Sequence, residues 1–240
     1  MLKRIILLRR KDGLSRSDML SYWQHKHAPL AMQSPEWFDS TERYTQNHIG
    51  EQVGGGSFDF DGMVESWQRP AGTIGRSFPD TKAYKEVVGP DELKFVDRGA
   101  SVLFFVNERV LVERMEGVKV LSFLSRSTQV DSEAFSARWL AWHADMQRRF
   151  PGFWSTLRGY VQNLVVPGSM KVLGRPAEVP ALRIDGMAEM RFASAAAMQE
   201  ALSSGDHAAC EDAASDFCTP IASIVVREVT LYDRSTTPGR

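Results

Sequence analysis

Cysteine is nearly absent: Cys210 and Cys218 are the only two in 240 residues. Their spacing is neither a C-x-x-C nor a zinc-ligand pattern, so neither a disulfide framework nor a bound metal is expected. Long hydrophobic runs are also missing, and nothing approaches the ~20 residues of a membrane span. The basic opening stretch has an apolar core of only Ile5-Ile6-Leu7-Leu8, short of the roughly 7–15 residues of a signal sequence. A cytoplasmic protein that makes no membrane contact is therefore expected. Charge of one sign is lacking too. The 29 Lys+Arg and 30 Asp+Glu leave a net charge of -1, which gives no electrostatic footprint for nucleic acid or anionic lipid. Hydrophobic content of 43% and charged content of 25% exclude a disordered or collagen-like chain. The length suits one large domain or two small ones.

What is present is an internal repeat. Tyr22-Trp23-Gln24-His25-Lys26-His27-Ala28 lies over Arg138-Trp139-Leu140-Ala141-Trp142-His143-Ala144 at one offset, and Tyr44-Thr45-Gln46-Asn47 lies over Tyr160-Val161-Gln162-Asn163 at the same offset. Asp61-Gly62-Met63-Val64-Glu65 then matches Asp185-Gly186-Met187-Ala188-Glu189 at a slightly larger one. The extra residues fall in the Gly- and Pro-rich stretch Pro167–Pro180, which reads as a hairpin loop. Residues 1–116 and 117–240 are thus expected to be duplicated modules.

Each module opens on an apolar run bounded by charge, Lys3–Arg10 or Val118–Leu124, read as a buried strand. Ser15 and Asp131 align as helix N-caps, and Pro29 is expected to stop the first helix. Strands follow near 44–49 and 60–67, with counterparts near 157–166 and 184–192. A second helix starts at Asp80 or Ser194, and long β-branched segments, 101–112 and 222–232, close the modules. The order is βαββαβ, the ferredoxin-like unit, so the fold class is α+β. The free face of each four-stranded sheet needs cover, which the other module can supply.

The first helix of each module carries a ladder at i, i+4, i+8: Met19, Trp23, His27 and Phe135, Trp139, His143. Each ladder lies on one stripe facing the sheet. The histidine is then semi-buried near a helix C-terminus, where the dipole favours the imidazolium and burial the neutral ring. Those opposed pulls suit a general acid or base, although a core histidine donating to a backbone carbonyl reads the same pattern.

The sequence Gly13-Leu14-Ser15-Arg16, Tyr22-Trp23 and His27-Ala28-Pro29-Leu30 resembles the opening of EthD-like proteins, members of the dimeric α+β barrel superfamily. Arg43-Tyr44-Thr45-Gln46-Asn47-His48 and Asp61-Gly62-Met63-Val64-Glu65 are similar to that family's second and third strands, and Phe78-Pro79-Asp80 to its second helix start. Module two departs at Ala144-Asp145, where the family has Ala-Pro. The resemblance implies two modules packed as an intrachain dimeric α+β barrel, with a cavity between sheet and helices. It also implies a superfamily of cofactor-free dehydratases, cyclases, isomerases and decarboxylases, together with monooxygenases and haem-degrading proteins.

Alternation on the second strand puts Tyr44, Gln46 and His48 on one face, against Tyr160, Gln162 and Leu164 in module two. His27, His48 and Tyr44 are the expected catalytic set, with Trp23, Asn47, Glu65, Trp67, His143 and Tyr160 as substrate-binding candidates. Asn47 is kept on the family likeness although it faces away from Tyr44. Asp61 and Glu65, about 13 Å apart, are too distant for a carboxylate dyad. Trp37, Phe38 and Trp154 read as cavity walls or loop anchors. Trp142 and Leu164 should fill module two and leave a smaller cavity there. Gly54-Gly55-Gly56 reads as a hairpin loop rather than a phosphate cradle. His25 and His27 diverge too far on a helix to share a metal.

The expected function is a cofactor-independent lyase or isomerase, of dehydratase or cyclase type. It would act by histidine acid–base catalysis on a small, apolar, oxygenated molecule of aromatic or polyketide-like kind. The alternatives are a cofactor-independent monooxygenase of a phenol and a non-enzymatic protein that binds a hydrophobic metabolite or haem. No cofactor is expected. The partner is a small-molecule substrate, and any further assembly is expected to be a homodimer.

Overall fold

In β1 (Leu2–Leu8) the alternation of side chains already sets the architecture. Lys3, Ile5 and Leu7 are fully enclosed on one face, while Arg4, Ile6 and Leu8 face the helices. A strand buried on both faces needs two separate covers. The computed structural model, which describes residues 2–69, 77–113 and 116–236, supplies them as the second module on one side and helices on the other.

Module one continues with α1 (Arg16–Tyr22), a π-helical turn (Trp23–His27), α2 (Ala28–Ala31), α3 (Pro35–Ser40), β2 (Thr41–Gly55) and β3 (Gly62–Gln68). A short 3-10 turn (Phe78–Asp80), a second π-helical turn (Tyr84–Val88), α4 (Gly89–Glu92) and β4 (Val102–Val112) complete it. Module two runs β5 (Val118–Arg126), α5 (Ser132–Arg149), α6 (Pro151–Thr156), β6 (Leu157–Val165), β7 (Lys171–Val172), β8 (Gly186–Phe192), α7 (Ala195–Leu202), α8 (Gly205–Asp212) and β9 (Cys218–Asp233). The N-caps are as expected: Ser15 accepts from the Asp18 N–H and Asp131 from the Ala134 N–H.

The sheets are antiparallel, β4-β1-β3-β2 in module one and β9-β5-β8-β6 in module two. β2 pairs with β9, and β4 with β6, so the two sheets close into an eight-stranded barrel. Closure removes the unpaired edges that each sheet would otherwise present to other chains. The fold is thus two ferredoxin-like modules forming a dimeric α+β barrel within one chain. Among the described residues no helix is long and apolar enough to cross a membrane.

Three local expectations change. The first helix does not stop at Pro29. Proline offers no N–H and its ring crowds the carbonyl four residues back, and here the chain widens into a π turn in which the Ala28 N–H reaches Trp23 O. The same solution recurs before Pro90, where the Gly89 N–H bonds Tyr84 O. Helix α5, which has Asp145 at the matching place, runs through as regular α-helix. Gly54 and Gly55 belong to β2 and pair with Ser223 and Ala222 of β9, so they form no free hairpin loop. Gly55 has φ +77 and a Cβ there would sit 2.5 Å from Ile221 O, so only glycine fits. The 167–180 segment contains β7, which pairs with Val102 and Leu103 of β4.

The barrel interior is apolar at one end and ionic at the other. Ile5, Leu7, Met63, Phe104, Leu121 and Phe123 belong to the apolar part. The Lys3 Nζ lies 2.6 Å from Glu65, 2.5 Å from Glu189 and 2.9 Å from Glu108. The Lys119 Nζ lies 2.6 Å from Glu65, 3.2 Å from Glu189 and 2.7 Å from Glu228. Glu65 and Glu189 therefore bridge both lysines, and the repeat's pseudo-twofold is written into the core. Eight strands leave an interior that side chains just fill, and charges can occupy it only if every one is paired.

Candidate active site

The ladder residues take up the expected stripe: Met19, Trp23 and His27 are buried against the sheet, as are Phe135, Trp139 and His143. Trp23 packs against Gly62, where a Cβ would come within 2.6 Å of Cζ3, and Trp139 packs likewise against Gly186 at 2.7 Å. Gln46 donates to Trp23 O and Gln162 to Trp139 O. Asp61 accepts from the Arg10 N–H and the Arg16 side chain, and Asp185 from the Arg126 N–H and side chain. Burial pushes the Asp61 carboxyl up, but these donors outweigh it and hold it below its usual range. Much of the repeated sequence is thus a clamp between strand and helix.

His27 sits where the two π turns of module one meet. Its Nδ1 lies 2.9 Å from Asp91 Oδ2, beside Pro90 on α4. The other Asp91 oxygen accepts from Tyr22 Oη and Lys94 Nζ, each at 2.8 Å. Burial opposes ionisation of Asp91, but the Lys94, His27 and Tyr22 contacts win and keep its pKa lowered. Phe95 packs against the imidazole, ring centroids 4.9 Å apart. An anionic Asp91 accepts the Nδ1 proton and leaves Nε2 as the ring atom available to a ligand. Among the described residues Nε2 has no hydrogen-bond partner.

That histidine lines a cavity of about 90 Å³ between the sheet and the first helix. Trp23, Trp37, Tyr44, Tyr84, Arg4 and Glu92 share its wall. Tyr44 Oη accepts from Trp23 Nε1 at 3.0 Å. Burial pushes the Tyr44 phenol up to about 12, so it stays protonated and can donate.

Other candidates lie elsewhere. His48 is on the far side of Trp23, stacked on it at 5.5 Å, and does not line the His27 cavity. Arg227 donates to its Nδ1 and its Nε2 donates to Gln46 Oε1, in an open groove between the first helix and the paired strands β2 and β9. Burial, then Arg227 and His25, lower its pKa to about 4. Asn47 donates to Glu65 at 2.8 Å inside the barrel, and Trp67 packs over Lys3 at 4.7 Å. Asn47, Glu65 and Trp67 are therefore separated from His27 by the sheet itself, because their alternation faces the barrel interior. Phe38 packs on Trp37 and Tyr232 rather than lining the cavity.

Module two keeps an open cavity only slightly smaller than that of module one, about 80 Å³, walled by Trp139, Trp142, Trp154, Tyr160, Cys210 and Cys218 among others. His143 does not line it: the ring stacks on Tyr160 at 5.1 Å and Trp154 covers its edge at 4.6 Å. Among the described residues no acid bonds its ring, Nδ1 has no partner, and burial lowers the pKa.

Sequence reasoning did not single out Asp91, Arg4, Tyr84 or Glu92. The readable signals were an arginine inside the apolar Leu2–Leu8 run and an acid directly after Gly89-Pro90, neither of which the second module repeats.

The EthD domain family model matches residues 11–99 and 127–218, one segment in each module. No curated protein sequence matches the chain significantly. Solved structures share its fold at low identity. A monooxygenase-like protein from Lactobacillus acidophilus NCFM has a TM-score of 0.53 and 10% identity, covering 95% of this chain and 94% of its own. An anthrone oxidase-like protein has a TM-score of 0.51 and 10% identity, covering 97% and 94%. A chlorite dismutase-like protein has a TM-score of 0.52 and 12% identity, covering 95% of both chains.

Proposed function

Since the chain belongs to the EthD domain family, a small-molecule-binding type of dimeric α+β barrel, we propose that module one is a cofactor-independent acid–base catalyst of the lyase or isomerase class. The observation that supports this reading is the His27–Asp91 pair at the wall of a partly open cavity. Asp91 orients the ring and stabilises the imidazolium that forms when Nε2 takes a proton. The same nitrogen returns that proton to a departing oxygen in a dehydration, or to another carbon in an isomerisation. Tyr44 donates to a substrate oxygen as negative charge grows on it. With about 90 Å³ available, the substrate is a compact molecule of one ring or a short chain. Haem does not fit this space, and no step runs through it.

Substituting His27→Ala should abolish turnover in a protein that still folds, while His143→Ala should leave turnover in place. Unchanged kcat in the His27 variant would refute the assignment.

A second reading draws on the names of the structural neighbours, monooxygenase-like and anthrone oxidase-like. The same His27 could deprotonate a phenol whose anion then reacts with oxygen. Oxygen uptake during turnover separates the two, since a lyase or isomerase runs equally well without oxygen.

A further inference from the structure

Arg4 lies on the helix-facing side of β1, in the wall of the cavity that holds His27. It is only partly exposed, its Nε is buried with no hydrogen-bond partner, and among the described residues its guanidinium makes no ion pair. The carboxylate in the same wall does not neutralise it at close range. Glu92 accepts from Tyr84 Oη at 2.8 Å and lies 3.8 Å from Arg98. Burial accordingly lowers the Arg4 pKa, against the electrostatic pull of Tyr84, Glu92 and Tyr44. The contrast with Lys3 is sharp, since that neighbour on the same strand is held by three glutamates.

Module two has nothing comparable. Val120 occupies the matching place on β5, fully buried in an apolar cluster, and no arginine or lysine lines that cavity. Packing alone is therefore met by valine at this site of the fold. A cation left unpaired in a largely desolvated pocket is costly unless an anion joins it. A planar guanidinium with free N–H groups matches the two oxygens of a carboxylate.

We propose that the module-one cavity binds a compact carboxylate, with the acid group paired to Arg4 and the rest of the molecule directed towards His27 and Tyr44. This inference rests on the reading of the cavity as the ligand site, and it adds the charge and anchoring group of the ligand. Arg4 supplies binding and orientation, so that the carbon to be deprotonated meets the His27 Nε2. The second cavity, with its apolar wall, takes no such anion.

Calorimetric titration with benzoate and with its neutral isostere benzamide tests the proposal on the full chain. Benzoate should bind wild-type protein at least tenfold more tightly than benzamide, and Arg4→Val, which installs the module-two residue, should erase that preference. His27→Ala should keep it. Without ligand, Arg4→Val should melt no lower than wild type, because it removes an unpaired, largely buried charge; a clear loss of stability would mark Arg4 as a structural residue and overturn the proposal. Equal binding of the two probes, with both lost in a cavity-filling Val64→Trp variant, would overturn the carboxylate assignment and leave the cavity reading standing. Binding of neither probe at millimolar concentration would overturn both.

Discussion

Gly62 and Trp23 form a contact that only glycine permits: a Cβ at Gly62 would sit 2.6 Å from the indole Cζ3. The indole is fully buried and its Nε1 is bonded to Tyr44, so it cannot retreat cheaply. Gly62→Ala should destabilise the protein by about 1–3 kcal/mol, the usual range for overpacking. Because Trp23 begins the π turn that ends at His27, the variant should also weaken ligand binding. Gly186→Ala, which meets Trp139 at 2.7 Å, should cost similar stability and spare binding. Chemical denaturation and calorimetric titration of both variants check the pair.

Asp91 is expected to act through His27. Asp91→Asn keeps the size of the side chain but removes the charge that stabilises an imidazolium and fixes the Nε2 lone pair. Turnover should fall by roughly 10²–10⁴-fold, with the larger share in kcat rather than KM. A variant with unchanged kcat would show that Asp91 does not act through His27.

The fold was legible because the chain states it twice. Trp, His, Tyr, Gln, Asn, Asp, Gly and Glu recur in order, and each copy has the strand and helix periods of a βαββαβ unit. The site was less legible for the same reason. Most repeated residues turn out to hold the module together, as with Gln46 bonding the Trp23 carbonyl and Asp61 bonding the Arg10 N–H. His27 was found because its ladder marks the face towards the sheet. Asp91, 64 residues further on, reaches it only through the packing of two helices, which no periodicity in either helix encodes. His48 shares a strand face with Tyr44, but Trp23 stands between it and the cavity, a partition set by one side chain's rotamer. Asn47 and Glu65 are repeated in both modules because both halves of the barrel core need them.

Lys3 sits among Glu65, Glu108 and Glu189 with no exposure to water. Lys3→Met should destabilise the barrel by about 3–5 kcal/mol, because removing one partner leaves buried carboxylate charge uncompensated. Adding Glu189→Gln to that variant should recover part of the loss. A double-mutant cycle by denaturant unfolding measures the coupling, and strict additivity would show that the cluster does not act as a unit.

The pH dependence of stability should carry a signature of His48. Its folded-state pKa is lowered from 6.5 to about 4, first by burial and then by Arg227 and His25. Between those values the unfolded chain binds a proton that the folded chain refuses, so the unfolding free energy must fall as pH falls. The stability is fully present above pH 6.5 and is lost progressively towards pH 4, with no further contribution from His48 below that. Protonation would also set a second positive charge against the Arg227 guanidinium and break its bond to Nδ1. His48→Leu, which copies Leu164 of module two, should flatten the curve across this window while leaving His27 and its cavity in place. Glu228, held at about 2 by Lys119 and Arg191 against the opposing effect of burial, adds a separate loss as pH falls from 4.5 towards 2, and the His48 variant should retain it. Urea unfolding at pH 7, 5.5 and 4.5 for both proteins decides the matter: parallel curves would mean that His48 titrates alike in the folded and unfolded chain.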